Sequence, residues 1–368
     1  MAEEKILILE LGGIGDTAMA IPAVKEVLKS YRNAHITVLT VPRTKAIIES
    51  LKEEGHGNLD VVSTDAMDNH GISGWGSVIK SMRRERYDIA IDLSAVETLQ
   101  AAVKRWLFFK SLGVKKTYGR NTNGRGWAFT KKADDVLTSD EHEVLRKIKV
   151  VELLGRMADR TAPRLTIPHR DMEYVDSLLS GWTAGGGLIV GINPGAFRPS
   201  RTWPAGRFKD IARWLIEEMS AHVVITGGNK EKAVVENIAA SLPGDRVKTV
   251  TGVSIMKFAA AIRKMNIFLT NDTGPMHIAA AVGVPIVALF GQTNLCRYHP
   301  YMEESMYVTI KKDCILCPCY SFGHPMQECR RHDCEDKQCM DSITLDEVKE
   351  AALKLLSKQS VGAVVQCS

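Results

Sequence analysis

The chain has 368 residues, of which 45% are hydrophobic and 25% are charged. This composition is that of an ordinary globular protein, and the length is sufficient for two domains. The formal net charge of +5 is too small to indicate a dedicated nucleic-acid binder, although it suits an acidic substrate or an anionic membrane surface. No run approaches the roughly 20 apolar residues of a membrane span, and no signal-peptide pattern precedes the first predicted strand. We therefore expect a cytoplasmic protein that binds no nucleic acid.

Short apolar runs alternate with amphipathic helical patterns in the first half, which is typical of βα units around a parallel sheet. Strands are predicted at Lys5–Glu10, His35–Thr40, Leu59–Val62 and Asp88–Leu93. Helices are predicted at Pro22–Tyr31, Thr44–Glu54, Gly74–Glu85, Val96–Leu112 and Glu141–Ala158. The first strand is apolar on both faces, as expected for a strand buried in a parallel sheet.

The second half repeats the same alternation. Strands are predicted at Leu188–Asn193, His222–Thr226, Val247–Val250, Ile267–Asn271 and Pro285–Phe290. Helices are predicted at Arg207–Met219, Lys230–Ser241, Ile255–Arg263 and Met276–Val282. The fold class is therefore α/β, with two Rossmann-like, doubly wound parallel-sheet domains that we expect to face each other across a cleft.

Proline and glycine residues between the halves suggest where the domains separate. We expect an N-terminal domain, a connection, a C-terminal domain, a helix and a flexible tail, with boundaries at 1–165, 166–186, 187–343, 344–358 and 359–368. The helix is a candidate for packing back on the first domain. Ligands of open α/β sheets bind at the carboxyl ends of the strands, so the residues that follow predicted strands are the candidate site residues.

The loop after the first strand contains Gly13-x-Gly15-x-x-Ala18, which formally matches a dinucleotide-binding fingerprint. That fingerprint also requires an acidic residue at the end of the second strand to hold a ribose. This strand is followed by Val41-Pro42-Arg43 instead. NAD is therefore disfavoured, whereas NADP remains an alternative through Arg43.

Asp16 lies in the same glycine loop, and two interpretations of it stay open. It is either a helix cap or a general base at a strand end. Pro22 favours a helix that begins near residue 22, and in that case Asp16 lies too early in the chain to cap it.

Three further loops follow strands of the second half. The first contains Gly195 and Ala196 with Arg198 and Arg201, a combination of small residues and forked cations for which anion binding is favoured over an ordinary loop with solvated arginines. The second contains Gly228 and Glu231, where the carboxylate suits either the start of a helix or a ribose hydroxyl. The third contains Asp272, Thr273, Gly274 and His277. These residues suit either an ordinary capped helix or a diphosphate site at a helix N-terminus.

Together these elements resemble glycosyltransferase family 9, the lipopolysaccharide heptosyltransferases. The resemblance rests on the order and spacing of Gly12–Asp16, Asn193–Pro204, Gly227–Glu231 and Asn271–Ala281, and it covers nearly the whole chain. It implies a GT-B fold and inverting transfer from ADP-L-glycero-D-manno-heptose to the inner core of lipopolysaccharide, with no cofactor or catalytic metal. The enzyme would then contact the inner membrane peripherally, at its cytoplasmic face.

The resemblance also implies roles for individual residues. Asp16 matches the family's proposed base, and Arg201 takes the place of a lysine that the family often carries before its Trp-Pro pair. The donor would be bound by the residues named in the second half: Gly195, Ala196, Arg198, Gly228, Glu231, Asp272, Thr273, Gly274 and His277. The acceptor would be bound by Gly13, Gly15, Arg43 and Arg120. For the aromatic segments Trp106–Phe109 and Trp127–Phe129, which could touch lipid, core packing is the favoured interpretation.

Six of the eight cysteines lie between Cys314 and Cys339. The spacing of the first pair, Cys314-x2-Cys317, suits a structural zinc, whereas free or bridged thiols are the alternative. Three alternatives to heptosyl transfer also remain, because the residues do not specify the sugar. They are another nucleotide sugar, an NADP-dependent oxidoreductase and a non-catalytic protein that binds a sugar nucleotide.

Overall fold

The computed structural model describes residues 4–64, 72–136, 139–183, 186–196, 198–291, 293–312 and 338–364. The chain divides into two compact units, Met1–Thr166 and Ile167–Ser368. Most of the segment predicted as a connection is a helix, His169–Thr183, in the second unit. This helix packs on the helix Ile255–Arg263 of the same unit.

Within its described residues, the first unit has six parallel strands in the order β3-β2-β1-β4-β5-β6. They are β1 (Lys5–Leu9), β2 (His35–Thr40), β3 (Leu59–Ser63), β4 (Ile89–Asp92), β5 (Lys116–Thr122) and β6 (Lys131–Asp135). The helices are α1 (Ile14–Ser30), α2 (Lys45–Glu49), α3 (Ile72–Glu85), α4 (Leu99–Leu112) and α5 (Glu143–Glu152). Short 3-10 helices, Pro42–Thr44 and Ser50–Glu54, flank α2.

The described part of the second unit also has six parallel strands, in the order β12-β11-β10-β7-β8-β9. They are β7 (Ile189–Asn193), β8 (His222–Gly227), β9 (Val247–Thr251), β10 (Ile267–Asn271), β11 (Ile286–Phe290) and β12 (Tyr307–Lys311). The helices are α6 (His169–Thr183), α7 (Ala205–Glu217), α8 (Lys232–Ala240), α9 (Ile255–Arg263), α10 (Gly274–Val282), α11 (Leu295–Tyr298), α12 (Gln338–Asp341) and α13 (Leu345–Val364). The 3-10 helices are Pro199–Arg201, Asn229–Glu231 and Glu304–Met306.

These two sheets confirm the predicted α/β class with two doubly wound domains. The sequence analysis missed β5, β6 and β12, which are more polar than the strands that it found. β6 and β12 are edge strands, where solvent replaces one neighbour and polar residues are tolerated. β5 was missed because its charged and polar residues, including the fully buried Arg120, do not form an apolar run in the sequence.

The first helix begins earlier than the sequence predicts. α1 starts at Ile14 rather than near Pro22, which lies in its interior. A proline there lacks the N–H for one helical hydrogen bond, yet α1 continues through it to Ser30.

The C-terminal helix packs within the second unit, and the expectation that it contacts the first domain stays a prediction. The apolar side of α13, with Val348, Ala351 and Leu355, is buried in the core that also contains Trp203 and Phe208. The helix continues to Val364, so the expected tail from residue 359 is helical over its first six residues. Residues 365–368 lie outside the described residues.

Candidate functional site

The candidate residues of the second unit follow three strands that are neighbours in the sheet. β7 lies between β8 and β10, and the chain crosses to opposite sides of β7 to form them. The carboxyl ends of β7 and β10 therefore flank a topological switch point, where open α/β sheets bind ligands. The loops that begin at Pro194, Gly228 and Asp272 consequently start side by side at one edge of the sheet.

The side chain of Asn271 fixes the loop that follows β7. It is fully buried at the end of β10, and its Oδ1 accepts a hydrogen bond of 3.0 Å from the Trp203 backbone N–H. Its Nδ2 donates to the carbonyl oxygens of Pro194 at 3.0 Å and Gly195 at 3.2 Å. Because both ends of the amide are used, the two ends of the loop 194–203 are held against β10.

A second pair of buried polar side chains supports the same loop. The Thr226 hydroxyl donates to Asn193 Oδ1 at 3.1 Å, and Asn193 Nδ2 donates to the Gly195 carbonyl at 3.1 Å. The sequence analysis named Asn193 and Asn271 only as parts of motifs and gave neither a role. The signal that could have identified them is an asparagine that ends an otherwise apolar, buried strand, where its amide must find partners.

Glu231 lies against three glycines from two different loops. A Cβ atom on Gly195 would lie 2.5 Å from Glu231 Cγ, and one on Gly228 would lie 2.9 Å from its Oε2. A Cβ atom on Gly227 would lie 3.0 Å from the Glu231 Cβ. The glycines therefore leave room for this carboxylate, and the structure brings Gly195, Gly228 and Glu231 together.

Arg201 and Asp272 form an ion pair across the ends of two loops. Arg201 Nη1 lies 3.2 Å from Asp272 Oδ2, and the Asp272 side chain is only 5% exposed. Thr273 is the N-cap residue of α10, but its side chain makes no capping hydrogen bond. Thr273 therefore occupies the N-cap position that the sequence analysis allowed, but neither side chain is shown capping the helix, and the Asp272 carboxylate pairs with an arginine.

The remaining candidate residues of the second unit lie in the loop after β7 or in the first half of α10. Ala196 and Arg198 are half-buried in the loop after β7, and Gly274 begins α10. His277 is buried within the first half of α10. The end of the loop that carries the arginines is also held by Trp203, whose Nε1 donates a hydrogen bond of 2.9 Å to the Ile343 carbonyl.

In the first unit, the glycine loop after β1 is shaped by two carboxylates. Asp16 Oδ2 accepts a hydrogen bond of 2.9 Å from the Gly13 backbone N–H, and Glu10 Oε1 accepts one of 3.1 Å from Gly12. A Cβ atom on Gly12 would overlap the Cβ atom of Asp16. Asp16 therefore does cap α1, which corrects the argument that it lies too early in the chain for that role. Its side chain is half-buried, so the cap leaves it partly accessible.

The Glu10 carboxylate is held by a buried lysine. Lys147 Nζ lies 2.7 Å from Glu10 Oε2 and 3.3 Å from the Leu93 carbonyl, so it joins the ends of β1 and β4. Burial raises the pKa of Glu10, and Lys147 acts in the opposite direction. Burial lowers the pKa of Lys147, but Glu10, Glu143 and Asp16 together raise it above its ordinary value. The sequence analysis missed both residues, which carry no motif.

The four residues expected to bind an acceptor do not all qualify. Gly13 is the N-cap residue of α1 and Gly15 lies in its first turn, both close to Asp16. Arg43 is exposed in the 3-10 helix after β2. The expectation that Arg120 binds the acceptor is wrong. Its guanidinium is fully buried and pairs with Asp135 and Glu143, so Arg120 is a core residue of the first unit.

The cysteine cluster can be followed only at its end. Cys314, Cys317, Cys319, Cys329 and Cys334 lie outside the described residues, so the zinc interpretation is untested there. Cys339 is described, and its side chain is buried in the second unit's core. Across the described ranges, no three histidine, cysteine or acidic side chains are grouped as metal ligands would be. No helix in those ranges has both the length and the apolar character needed to cross a bilayer.

Comparisons with known proteins give a consistent result. The model of glycosyltransferase family 9 (heptosyltransferase) matches residues 75–321. Lipooligosaccharide heptosyltransferase 2 of Campylobacter jejuni is 26% identical over 226 residues, which are 59% of this chain and 65% of that protein. Lipopolysaccharide heptosyltransferase 3 of Escherichia coli K12 is 24% identical over 364 residues, covering 95% of this chain and 97% of that protein.

The structure of the E. coli ADP-heptose lipopolysaccharide heptosyltransferase II superposes with a TM-score of 0.71 at 21% identity. The match covers 96% of this chain and 99% of that chain. At this identity the likeness establishes the fold alone. Together with the two parallel sheets, it confirms the predicted two-domain α/β GT-B fold.

The buried ion pair beside the glycine loop gives a prediction about stability and pH. In a Lys147→Met variant, Glu10 would be buried without a cation, and we expect a loss of about 3–5 kcal/mol of unfolding free energy at pH 7. The folded-state pKa of Glu10 is then raised further above 4.5. Stability should fall as pH rises from 4.5 through that raised pKa, because only the folded state keeps the proton. Urea unfolding at pH 5 and pH 8 measures this, with a smaller loss expected at pH 5.

The matched control is the double variant Glu10→Gln/Lys147→Met, which leaves no buried carboxylate. It should lack the added pH dependence, although its glycine loop keeps an acceptor oxygen at residue 10. A loss in Lys147→Met that is equal at both pH values would contradict the assignment of the buried ion pair.

Proposed function

The chain belongs to glycosyltransferase family 9, and from this premise we propose that it transfers a heptose from ADP-L-glycero-D-manno-heptose to the inner core of lipopolysaccharide. The observation that carries the proposal is the alignment with an E. coli lipopolysaccharide heptosyltransferase over nearly the full length of both chains. The family match to residues 75–321 includes the three strand-end loops of the second unit.

The second unit would bind the donor at the carboxyl ends of β7, β8 and β10. The backbone N–H groups near Gly195 and Ala196 and the N-terminus of α10 suit a diphosphate, because both present positive partial charge. Arg201 adds a full charge, and its ion pair with Asp272 fixes the position of the guanidinium. Arg198, Thr273, Gly274 and His277 complete this surface. Gly228 lets Glu231 lie where a ribose hydroxyl can donate to its carboxylate.

Transfer would proceed by direct displacement with inversion. The acceptor hydroxyl oxygen forms a bond to the anomeric carbon while the bond from that carbon to the diphosphate oxygen breaks. The electron pair of the broken bond leaves with ADP, whose added negative charge Arg201 and the α10 N-terminus stabilise. These fixed positive groups can stabilise the leaving ADP without a catalytic metal.

Asp16 would accept the proton of the acceptor hydroxyl. Its carboxylate is half-buried, held by the Gly13 N–H through Oδ2, and close to the Glu10–Lys147 pair. One oxygen is thus used for orientation, which is the geometry that a positioned base requires. Gly13, Gly15 and Arg43 follow the carboxyl ends of the neighbouring strands β1 and β2 and would contact the acceptor. The acceptor is a glycolipid, so the enzyme would work at the cytoplasmic face of the inner membrane.

The base role of Asp16 can be separated from its capping role. Asp16→Asn keeps an oxygen that accepts from the Gly13 N–H, but it cannot take up a proton at neutral pH. We expect its kcat for heptosyl transfer to fall by about 10²–10⁴-fold, with ADP affinity within a factor of two or so of the wild type. Asp16→Ala should lose activity and also about 1 kcal/mol of stability from the missing cap. Wild-type turnover in Asp16→Asn would leave the residue a cap only.

Nucleotide preference tests the donor assignment directly. Calorimetric titration with ADP, UDP, GDP and NADP should show the tightest binding for ADP. Arg201→Met should weaken ADP binding by about tenfold or more, because it removes a charge-assisted hydrogen bond. Arg201→Lys, which keeps the charge, is the control and should retain more of the affinity. Preference for UDP or GDP would indicate another nucleotide sugar, and preference for NADP would reject glycosyl transfer.

A further inference from the structure

One face of α4 exposes large apolar side chains. Leu99 is 66% exposed and Leu107 is 54% exposed, and Val103 and Trp106 lie on the same side of the helix. The opposite side packs into the core of the first unit through Ala102, Phe108, Phe109 and Leu112. The sequence analysis favoured core packing for Trp106–Phe109, and this is correct for the two phenylalanines only.

A neighbouring loop adds a second exposed tryptophan. Trp127 lies in the β5–β6 connection, with its ring centroid 6.4 Å from that of Trp106. The connection is held in place by Phe129, which packs on Phe109 at 5.9 Å and fills the space above Gly119. Leu99, Val103, Trp106, Leu107 and Trp127 therefore form one fixed surface, the α4 apolar face.

The chain segment that carries this surface contains charges of one sign, with the nearest acidic residues in sequence, Glu97 and Asp134, just outside it. Residues 99–133 contain nine lysines and arginines and no aspartate or glutamate. Arg105 and Arg120 pair inward with acidic residues of the core. The others are exposed or half-buried: Lys104, Lys110, Lys115, Lys116, Arg125, Lys131 and Lys132. The sheet register places Lys131 beside Tyr118, two residues from Lys116, so several of these cations cluster where α4 ends and β5 begins.

We propose that the α4 apolar face inserts into the interfacial layer of an anionic lipid bilayer, with the surrounding lysines contacting lipid phosphates. Tryptophan and leucine beside lysine are the residue types that bind at this depth. Basic residues near an anionic surface add to the attraction. This inference deepens the proposed function and rests on it, since it names the surface that would bring the enzyme to a glycolipid acceptor.

A second copy of the chain fits this surface less well. A symmetric dimer through the α4 apolar face would bring two copies of this lysine-rich segment close to each other. An anionic bilayer instead has the opposite charge and an apolar interior close beneath it. Charge complementarity therefore selects the lipid surface as the partner.

The test is sedimentation of the full chain with vesicles of phosphatidylglycerol and phosphatidylethanolamine, compared with phosphatidylcholine alone. We expect the wild type to sediment with the anionic vesicles and to be released by salt. Leu99→Gln/Leu107→Gln and Lys104→Glu/Lys110→Glu should each lower the partition coefficient by about tenfold or more. These side chains are exposed, so circular dichroism and the melting temperature should stay close to those of the wild type.

Matched controls change exposed residues elsewhere. Met157→Gln/Leu353→Gln alters side chains that are 79% and 43% exposed, and Lys354→Glu/Lys358→Glu reverses two exposed charges on α13. Both should bind vesicles as the wild type does. The proposal fails if the wild type ignores anionic vesicles, or if the controls lose binding as much as the α4 variants. It also fails if the wild type is a dimer that Leu99→Gln/Leu107→Gln makes monomeric, because the face then joins two copies.

A transfer assay separates this inference from the proposed function. With ADP-heptose and a water-soluble core oligosaccharide, Leu99→Gln/Leu107→Gln should turn over at the wild-type rate. With the same core on a lipid in anionic vesicles, its rate should fall by about tenfold. Vesicle binding without transfer to either acceptor would reject the proposed heptosyl transfer but would still support the α4 apolar face as a lipid-binding surface. Equal transfer by the wild type and Leu99→Gln/Leu107→Gln on vesicles would reject the α4 apolar face as the lipid-binding surface but would still support heptosyl transfer.

Discussion

The buried amide of Asn271 is the interaction on which the candidate site of the second unit depends. It holds the backbone at Pro194, Gly195 and Trp203, so the loop with Arg198 and Arg201 cannot move independently of β10. The Arg201–Asp272 ion pair is a consequence, because it joins two loops whose starting points are already fixed. A buried amide with all its hydrogen bonds made is costly to displace, which suits a site whose cations must be in position before charge develops.

The first unit uses a different device for the same purpose. Lys147 joins Glu10 to the Leu93 carbonyl, and Glu10 in turn holds Gly12. Asp16 completes the loop by capping α1. The cap and the proposed base are therefore one residue, and the two interpretations that the sequence left open are compatible. A carboxylate that already accepts one backbone hydrogen bond has a restricted orientation, and its second oxygen is the one available for chemistry.

Hydrophobic patterning predicted the strands that are buried on both faces, such as β1, β7 and β10. Nearly every side chain of such a strand faces the core, so the strand is a continuous apolar run in the sequence. It failed for β5, where Arg120 and Thr122 are buried with ionic and hydrogen-bonding partners that come from distant residues. Glycine and acidic residues at strand ends located most of the candidate site. They could not reveal that α1 starts before Pro22, since that depends on the position of the Asp16 side chain rather than on residue type.

The basic residues of the first unit show why residue type alone does not assign a role. Arg105, Arg120 and Lys147 each have an acidic partner in the core, so their charges stabilise the folded unit and are not available to a ligand. The lysines of segment 99–133 have no acidic residue in that segment to pair with, and they surround exposed leucine and tryptophan. Burying those apolar groups in the interfacial layer of a bilayer and bringing the lysines to anionic headgroups are favourable in the same orientation. The two features therefore reinforce each other on one surface, whereas either alone would be ordinary for a protein exterior.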